Sequence, residues 1–216
     1  MRSLELNGAG RPRRVLCLGA HADDIEIGCG GTVLQLADAG AVEFTWVVLS
    51  GAGVRADEAR CAASKFLGSA PATVIVQTFR DGFFPYDGGE IKAFFEELKQ
   101  QISPDMVFTH YRADRHQDHR VVSDLTWNTF RDHLILEYEI PKWDGDLGAP
   151  NCFVPLETDT CHRKVEHLLT AFRSQTSKRW FTPETFQSLL RLRGIESGAP
   201  SGYAEAFYAH KIVCRV

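Results

Sequence analysis

Nowhere in the 216 residues is there an apolar run near the roughly 20 residues that a membrane span needs. The N-terminus, MRSLELNGAGRPRR, has no apolar stretch of the kind that a secretory signal carries. Cysteines occur at 17, 29, 61, 152, 161 and 214, but no two form a C-x-x-C pair. That pattern reads as reduced, mostly buried cysteine rather than a disulfide frame or a redox motif. Positive charge is also short: 24 Lys and Arg against 28 Asp and Glu leave a net charge of −4. Nucleic acid or a membrane surface is therefore not expected as the main partner. The one basic run, RPRR at 11–14, is expected to be a solvated lead-in to the first strand. These absences lead to the expectation of a soluble, cytoplasmic protein. Two enzyme signatures are missing as well. There is no G-x-S-x-G elbow for a serine hydrolase. The first strand is followed by acids where a dinucleotide site would have G-x-G-x-x-G.

What is present is a regular alternation. Short apolar runs at 14–20, 42–50, 72–79 and 105–110 read as strands, the first as one buried on both faces. Segments at helical spacing, 31–40, 55–68, 90–103 and 118–132, separate and follow them. The order predicts a single α/β domain over 1–216, Rossmann-like, with a mostly parallel sheet and helices on both faces. The stretch 139–160, rich in proline and poor in periodicity, reads as a long loop and a candidate substrate wall. Two helices, at about 159–174 and 183–193, and a last strand at 205–213 close the chain. Glycines 28, 30 and 31 are expected to serve tight turns or close helix packing.

Two polar bursts sit directly after strands: HADD at 21–24 and HYRADRHQDH at 110–119. Ligands of open parallel sheets bind outside the carboxyl ends of the strands. The two bursts share one crevice if the first and fourth strands are neighbours. Asp23, Asp24, Asp114 and Asp118 would then crowd together with His21, His116 and His119. Crowded carboxylates repel and take up protons unless a cation joins them. Two imidazoles and a carboxylate make a common catalytic zinc set with a position left for water. A metal-dependent phosphoesterase uses similar clusters, and a binding protein with a vestigial site is the third alternative.

The pair AHADD with GCGGT after it, and RHQDHR at 115–120, resembles the PIG-L/LmbE-like zinc N-deacetylases, in particular the bacillithiol-pathway and sugar-deacetylase branch. RADEA at 55–59, RDGF at 80–83 and YAEAF at 203–207 extend the likeness over nearly the whole chain. Ala22 and Gln117 stand where the family usually has proline. The resemblance implies that His21, Asp24 and His119 bind Zn²⁺, with Fe²⁺ or another divalent ion as the alternative metal. It implies that Asp23 is the general base acting on water. His116 would stabilise the oxyanion or protonate the leaving amine, and Asp118 would orient His116 and raise its pKa. Arg55 and Asp81 resemble positions that contact the sugar. The substrate it implies is a small-molecule N-acetylated amino sugar or glycoconjugate, and the assembly a homo-oligomer, trimer or hexamer. Trp143 and Tyr138, flanking the long loop, are candidates to stack on the sugar ring.

Overall fold

A computed structural model describes residues 13–213. The beginning of the basic N-terminal stretch and Cys214 lie outside the described residues. The first strand, β1 (Arg13–His21), leads into α1 (Asp24–Ala39), followed by β2 (Val42–Ser50) and α2 (Val54–Leu67). Next come β3 (Ala72–Val76), α3 (Gly88–Gln101), β4 (Met106–His110) and α4 (Gln117–Thr129). The last part holds β5 (Leu134–Tyr138), β6 (Cys152–Pro155), α5 (Thr158–Ala171), a 3-10 turn (Arg173–Gln175), α6 (Pro183–Ser197) and β7 (Ala204–Tyr208).

The seven strands form one sheet in the order β3-β2-β1-β4-β5-β7-β6. The five from β3 to β5 are parallel, and β7 runs antiparallel to both β5 and β6. Strand β1 alternates its side chains between two cores. Val15 and Cys17 pack under α1, α2 and α5, whereas Leu16, Leu18 and Ala20 pack against α3 and α4. The apolar runs of β1 and β4 are continuous because both faces of these strands are covered, whereas β3, at the sheet edge, is exposed over Ala72–Val74. Strands β1 and β4 are direct neighbours, with Val15 opposite Met106 and Cys17 opposite Phe108. The condition for one shared crevice is therefore met.

Helix α1 begins at Asp24, seven residues ahead of the expected 31, so Gly28, Gly30 and Gly31 lie inside the helix and not in a turn. They permit close approach. A Cβ at Gly28 would stand 2.1 Å from the Tyr138 ring, and one at Gly31 2.4 Å from Leu156 and 3.0 Å from the Glu205 carboxylate. Glu205, on β7, uses that gap: it accepts from the N–H of Gly31 and of Thr32, both at 2.7 Å, and pairs with buried Lys164 at 2.6 Å. Gly28→Ala is expected to cost about 1–3 kcal/mol through overpacking. A denaturant midpoint equal to that of the natural chain would overturn this account of the helix–sheet spacing.

Two further differences from the sequence expectation concern the C-terminal half. Strand β5 follows α4 where no strand is expected, and β6 sits within the stretch expected as loop. Four residues are too few to show a period, and β6 is held by pairing with β7, from Cys152–Phe207 to Pro155–Ala204. None of the five described cysteines is in a disulfide. Among the described residues, no helix is long and apolar enough to cross a membrane.

Candidate active site

The two polar bursts meet where β1 and β4 end. Strand β1 delivers His21 and then turns through Asp23, the N-cap of α1, at φ 133°. An L residue rarely adopts that backbone state, which costs on the order of 1–3 kcal/mol and is retained chiefly at functional sites. Asp24 opens the helix, and its Oδ2 accepts from the His21 N–H at 2.6 Å. From the other side, His116 caps α4, and His119 projects from the first turn of that helix.

Three donors converge. His21 Nδ1 lies 3.3 Å from His119 Nε2 and 3.3 Å from the Asp24 carboxylate. His119 Nε2 lies 3.5 Å from the other Asp24 oxygen. Tetrahedral ligands at about 2.0–2.1 Å from a zinc ion are themselves roughly 3.3 Å apart. The far nitrogen of each imidazole is held by a carboxylate: His21 Nε2 by Asp118 at 3.1 Å, and His119 Nδ1 by Asp114 at 2.9 Å. Such outer carboxylates are what metal-binding histidines use to fix tautomer and ring orientation. His110 also faces Asp24, at 3.3 Å, but its Nε2 already accepts from the Ala20 N–H at 3.0 Å. Donor atoms also converge in His21, His116 and His119, in Asp24, His110 and His119, and in His21, Asp81 and Asp118, so the cluster offers a metal several overlapping sets of three.

The charges agree with a cation there. Burial pulls the His21 imidazole down, but Asp24, Asp118 and Asp81 overcome it and hold its pKa well above the ordinary value. The protein places a proton where carboxylates crowd, as it would a metal. His119, by contrast, is pulled down to about 4 by burial and by the neighbouring His110, so it is a neutral imidazole with an available lone pair. Burial pushes the Asp23 carboxyl up to about 7 against the pull of Arg55, and the charge of Asp24 adds to the rise.

Asp118 differs from its expected place. Its carboxylate accepts from the N–H of Gly82 at 2.7 Å and of Phe84 at 3.2 Å and meets His21. It orients His21, not His116. Only its backbone N–H reaches His116, donating to Nδ1 at 3.3 Å. The pKa of His116 is lowered, not raised, first by burial and then by the charge of His21; Asp118 pulls the other way and loses. The capping bond assigns the proton of the neutral ring to Nε2.

Arg55 lies beside Asp23, with Nη2 3.0 Å from Oδ2, donates to the Ala22 carbonyl and is held by Glu58 at 2.9 Å. Asp81 is exposed and touches His21 Nε2 at 3.1 Å. Both line an open cleft of about 930 Å³ above the histidines, whose far wall carries Trp143 and Trp180. Tyr138 is not on it: it is fully buried, with its hydroxyl donating to the Leu18 carbonyl at 2.6 Å. Of the long loop, residues 140–144 border the cleft.

Two residues of weight carry no sequence role beyond charge. Asp114 also accepts from the His116 N–H at 2.8 Å and pairs with Lys142 at 2.9 Å, so it links His119 to the loop. Its only signal is position, within the turn that leads into α4. His110 is the last residue of a strand whose neighbour ends in the HADD burst, a signal visible once β1 and β4 are known to be adjacent.

The sequence profile described as PIG-L: GlcNAc-PI de-N-acetylase matches residues 16–130. The uncharacterized deacetylase YaiS of Escherichia coli K12 is 34% identical over 149 residues, 63% of this chain and 79% of that protein. Among solved structures, the N,N'-diacetylchitobiose deacetylase of Pyrococcus horikoshii superposes with a TM-score of 0.69 at 21% identity, over 90% of this chain and 82% of that one. GalB, a 4-carboxy-2-hydroxymuconate hydratase of Pseudomonas putida, superposes with a TM-score of 0.74 at 16% identity, over 94% of this chain and 98% of that one. These likenesses show a shared fold, and the profile match over 16–130 is what places the sequence: the chain belongs to the PIG-L family of de-N-acetylases.

Proposed function

We propose that the protein is a zinc-dependent hydrolase that removes the N-acetyl group from an amino sugar or glycoconjugate. The observation that carries the reading is the pair of imidazoles, each backed by its own carboxylate, closing on Asp24 at the spacing of a tetrahedral metal. A divalent ion bound there would lower the pKa of water and polarise the acetyl carbonyl.

The chain's own residues supply the proton chemistry. Asp23, with a pKa near 7, is poised both to take a proton from water and to give it up to the departing nitrogen. Arg55 holds one oxygen of that carboxylate, and both residues line the cleft. His116, neutral and carrying its proton on Nε2, can donate a hydrogen bond to the oxygen on which charge develops. Of the two roles that the resemblance implies for His116, this is oxyanion stabilisation, carried out by a neutral ring. Arg55 and Asp81, both on the cleft wall, remain within reach of the sugar.

Screening N-acetylated sugars for release of acetate and free amine tests the reading. Activity should vanish with chelator and return with zinc. Turnover that survives metal removal, or release of phosphate from phosphate esters in place of acetate, would overturn it. Trp143 is 80% exposed on the cleft-facing loop and offers a ring for stacking on the sugar. Trp143→Ala should raise KM more than it lowers kcat; an unchanged KM removes Trp143 from the site.

A further inference from the structure

The cleft holds more than one sugar ring. Its volume of about 930 Å³ is near the top of the roughly 300–1,000 Å³ found for small-molecule sites. Its cations fall into two groups. Arg55 is neutralised by Asp23 and Glu58, and Lys142 by Asp114 and Asp146. Arg80, Lys178 and Arg179 line the same cleft, and among the described residues none has a carboxylate within 4.0 Å. The Arg80 guanidinium rests over the Phe83 ring at 3.4 Å, and Lys178 Nζ lies 5.7 Å from the Trp180 ring. Aromatic faces hold these cations without cancelling their charge. Of the acids on the wall, Asp23 pairs with Arg55, Asp24 and Asp81 contact His21, and Asp144 stands exposed on the loop. A surplus of positive charge in one cleft of a chain with net charge −4 is a local arrangement, not a reflection of composition.

Resting on the deacetylation reading, we propose that Arg80, Lys178 and Arg179 form a subsite for an anionic group that the substrate carries beyond its N-acetyl sugar, a phosphate ester or a carboxylate. Arginine suits the planar, two-oxygen recognition of such groups, and lysine adds a point charge. The position of Lys178 fits: it lines the same cleft as Asp23, Asp24 and the histidines, so an anion bound there shares one cavity with the reacting end.

Calorimetric titration of the zinc-loaded protein with glucose 1-phosphate, glucuronate and methyl glucoside tests the subsite without requiring turnover. The expected result is binding of at least one anionic sugar about tenfold or more tighter than methyl glucoside. That advantage should shrink in high salt and fall toward one in the Lys178→Ala/Arg179→Ala double variant and in Arg80→Ala. Arg60→Ala, on the exposed side of α2 outside the cleft, should retain it. Preference for glucose 1-phosphate assigns a phosphate ester, and preference for glucuronate a carboxylate. Equal affinity for charged and neutral sugars would overturn the proposal. So would an anion preference that the variants leave untouched, which would place the anion on the metal. If the subsite behaves as expected and no N-acetylated sugar is turned over, the subsite stands and the deacetylation reading fails.

Discussion

Asp23→Asn should lower kcat for amine release by about 10²–10⁴-fold, the contribution of a positioned general base, and leave zinc content at one ion per chain. Asparagine matches aspartate in shape, can still accept from Arg55 across the 3.0 Å contact, and is among the residues that best tolerate positive φ. The substitution therefore removes proton transfer and little else. Metal analysis alongside kinetics separates base from ligand. If metal content fell in step with activity, Asp23 would be holding the ion, and the division of labour between the two adjacent aspartates would be wrong. If kcat fell less than about tenfold, another group would be taking the proton.

Much of this site is legible in the sequence because strand ends are. Continuous apolar runs mark β1, β2 and β4, and the abrupt polar bursts after β1 and β4 mark the edge at which a parallel sheet binds ligands. The adjacency of β1 and β4 is not written in either run. It follows from crossovers that place β2 and β3 on one side of β1 and β4 and β5 on the other. Outer contacts are less legible still. The carboxylate of Asp118 is taken by His21 because the loop carrying Gly82 and Phe84 arrives over it, a long-range event that the local H-Q-D-H spacing hides. Helix α1 is obscured at its start for a related reason. Three glycines within residues 28–31 leave a turn and close helix packing equally open until Tyr138, Phe66 and Leu156 are seen packed where their Cβ atoms would be. Tyr138, an aromatic at the edge of a loop, looks available for stacking, yet its ring is what fills the space that Gly28 leaves. Placement that depends on adjacent residues is readable, whereas contacts that depend on what packs behind them are not.

The double variant Asp114→Ala/Asp118→Ala carries the other large expectation. Each carboxylate holds the far nitrogen of a different imidazole, at 2.9 Å and 3.1 Å, and loss of such a partner typically costs 10–100-fold in metal affinity. Acting on separate ligands, the two losses should combine to about 10²–10⁴-fold in zinc affinity. Competition with a chelator of known affinity measures this directly, independent of turnover. The single variants should differ in their side effects. Asp114 also receives Lys142 and the His116 N–H, so its loss should loosen the cleft-facing loop and raise KM for sugar. Asp118 instead ties down Gly82 and Phe84, so its loss should free the segment that follows β3. Asp118→Asn is the informative intermediate. Its amide oxygen can still accept from Gly82, but its charge no longer supports His21, so it should keep the loop and lose metal affinity. Zinc affinity unchanged in the double variant would mean that the two carboxylates serve the fold alone, and the histidines would then be oriented by packing.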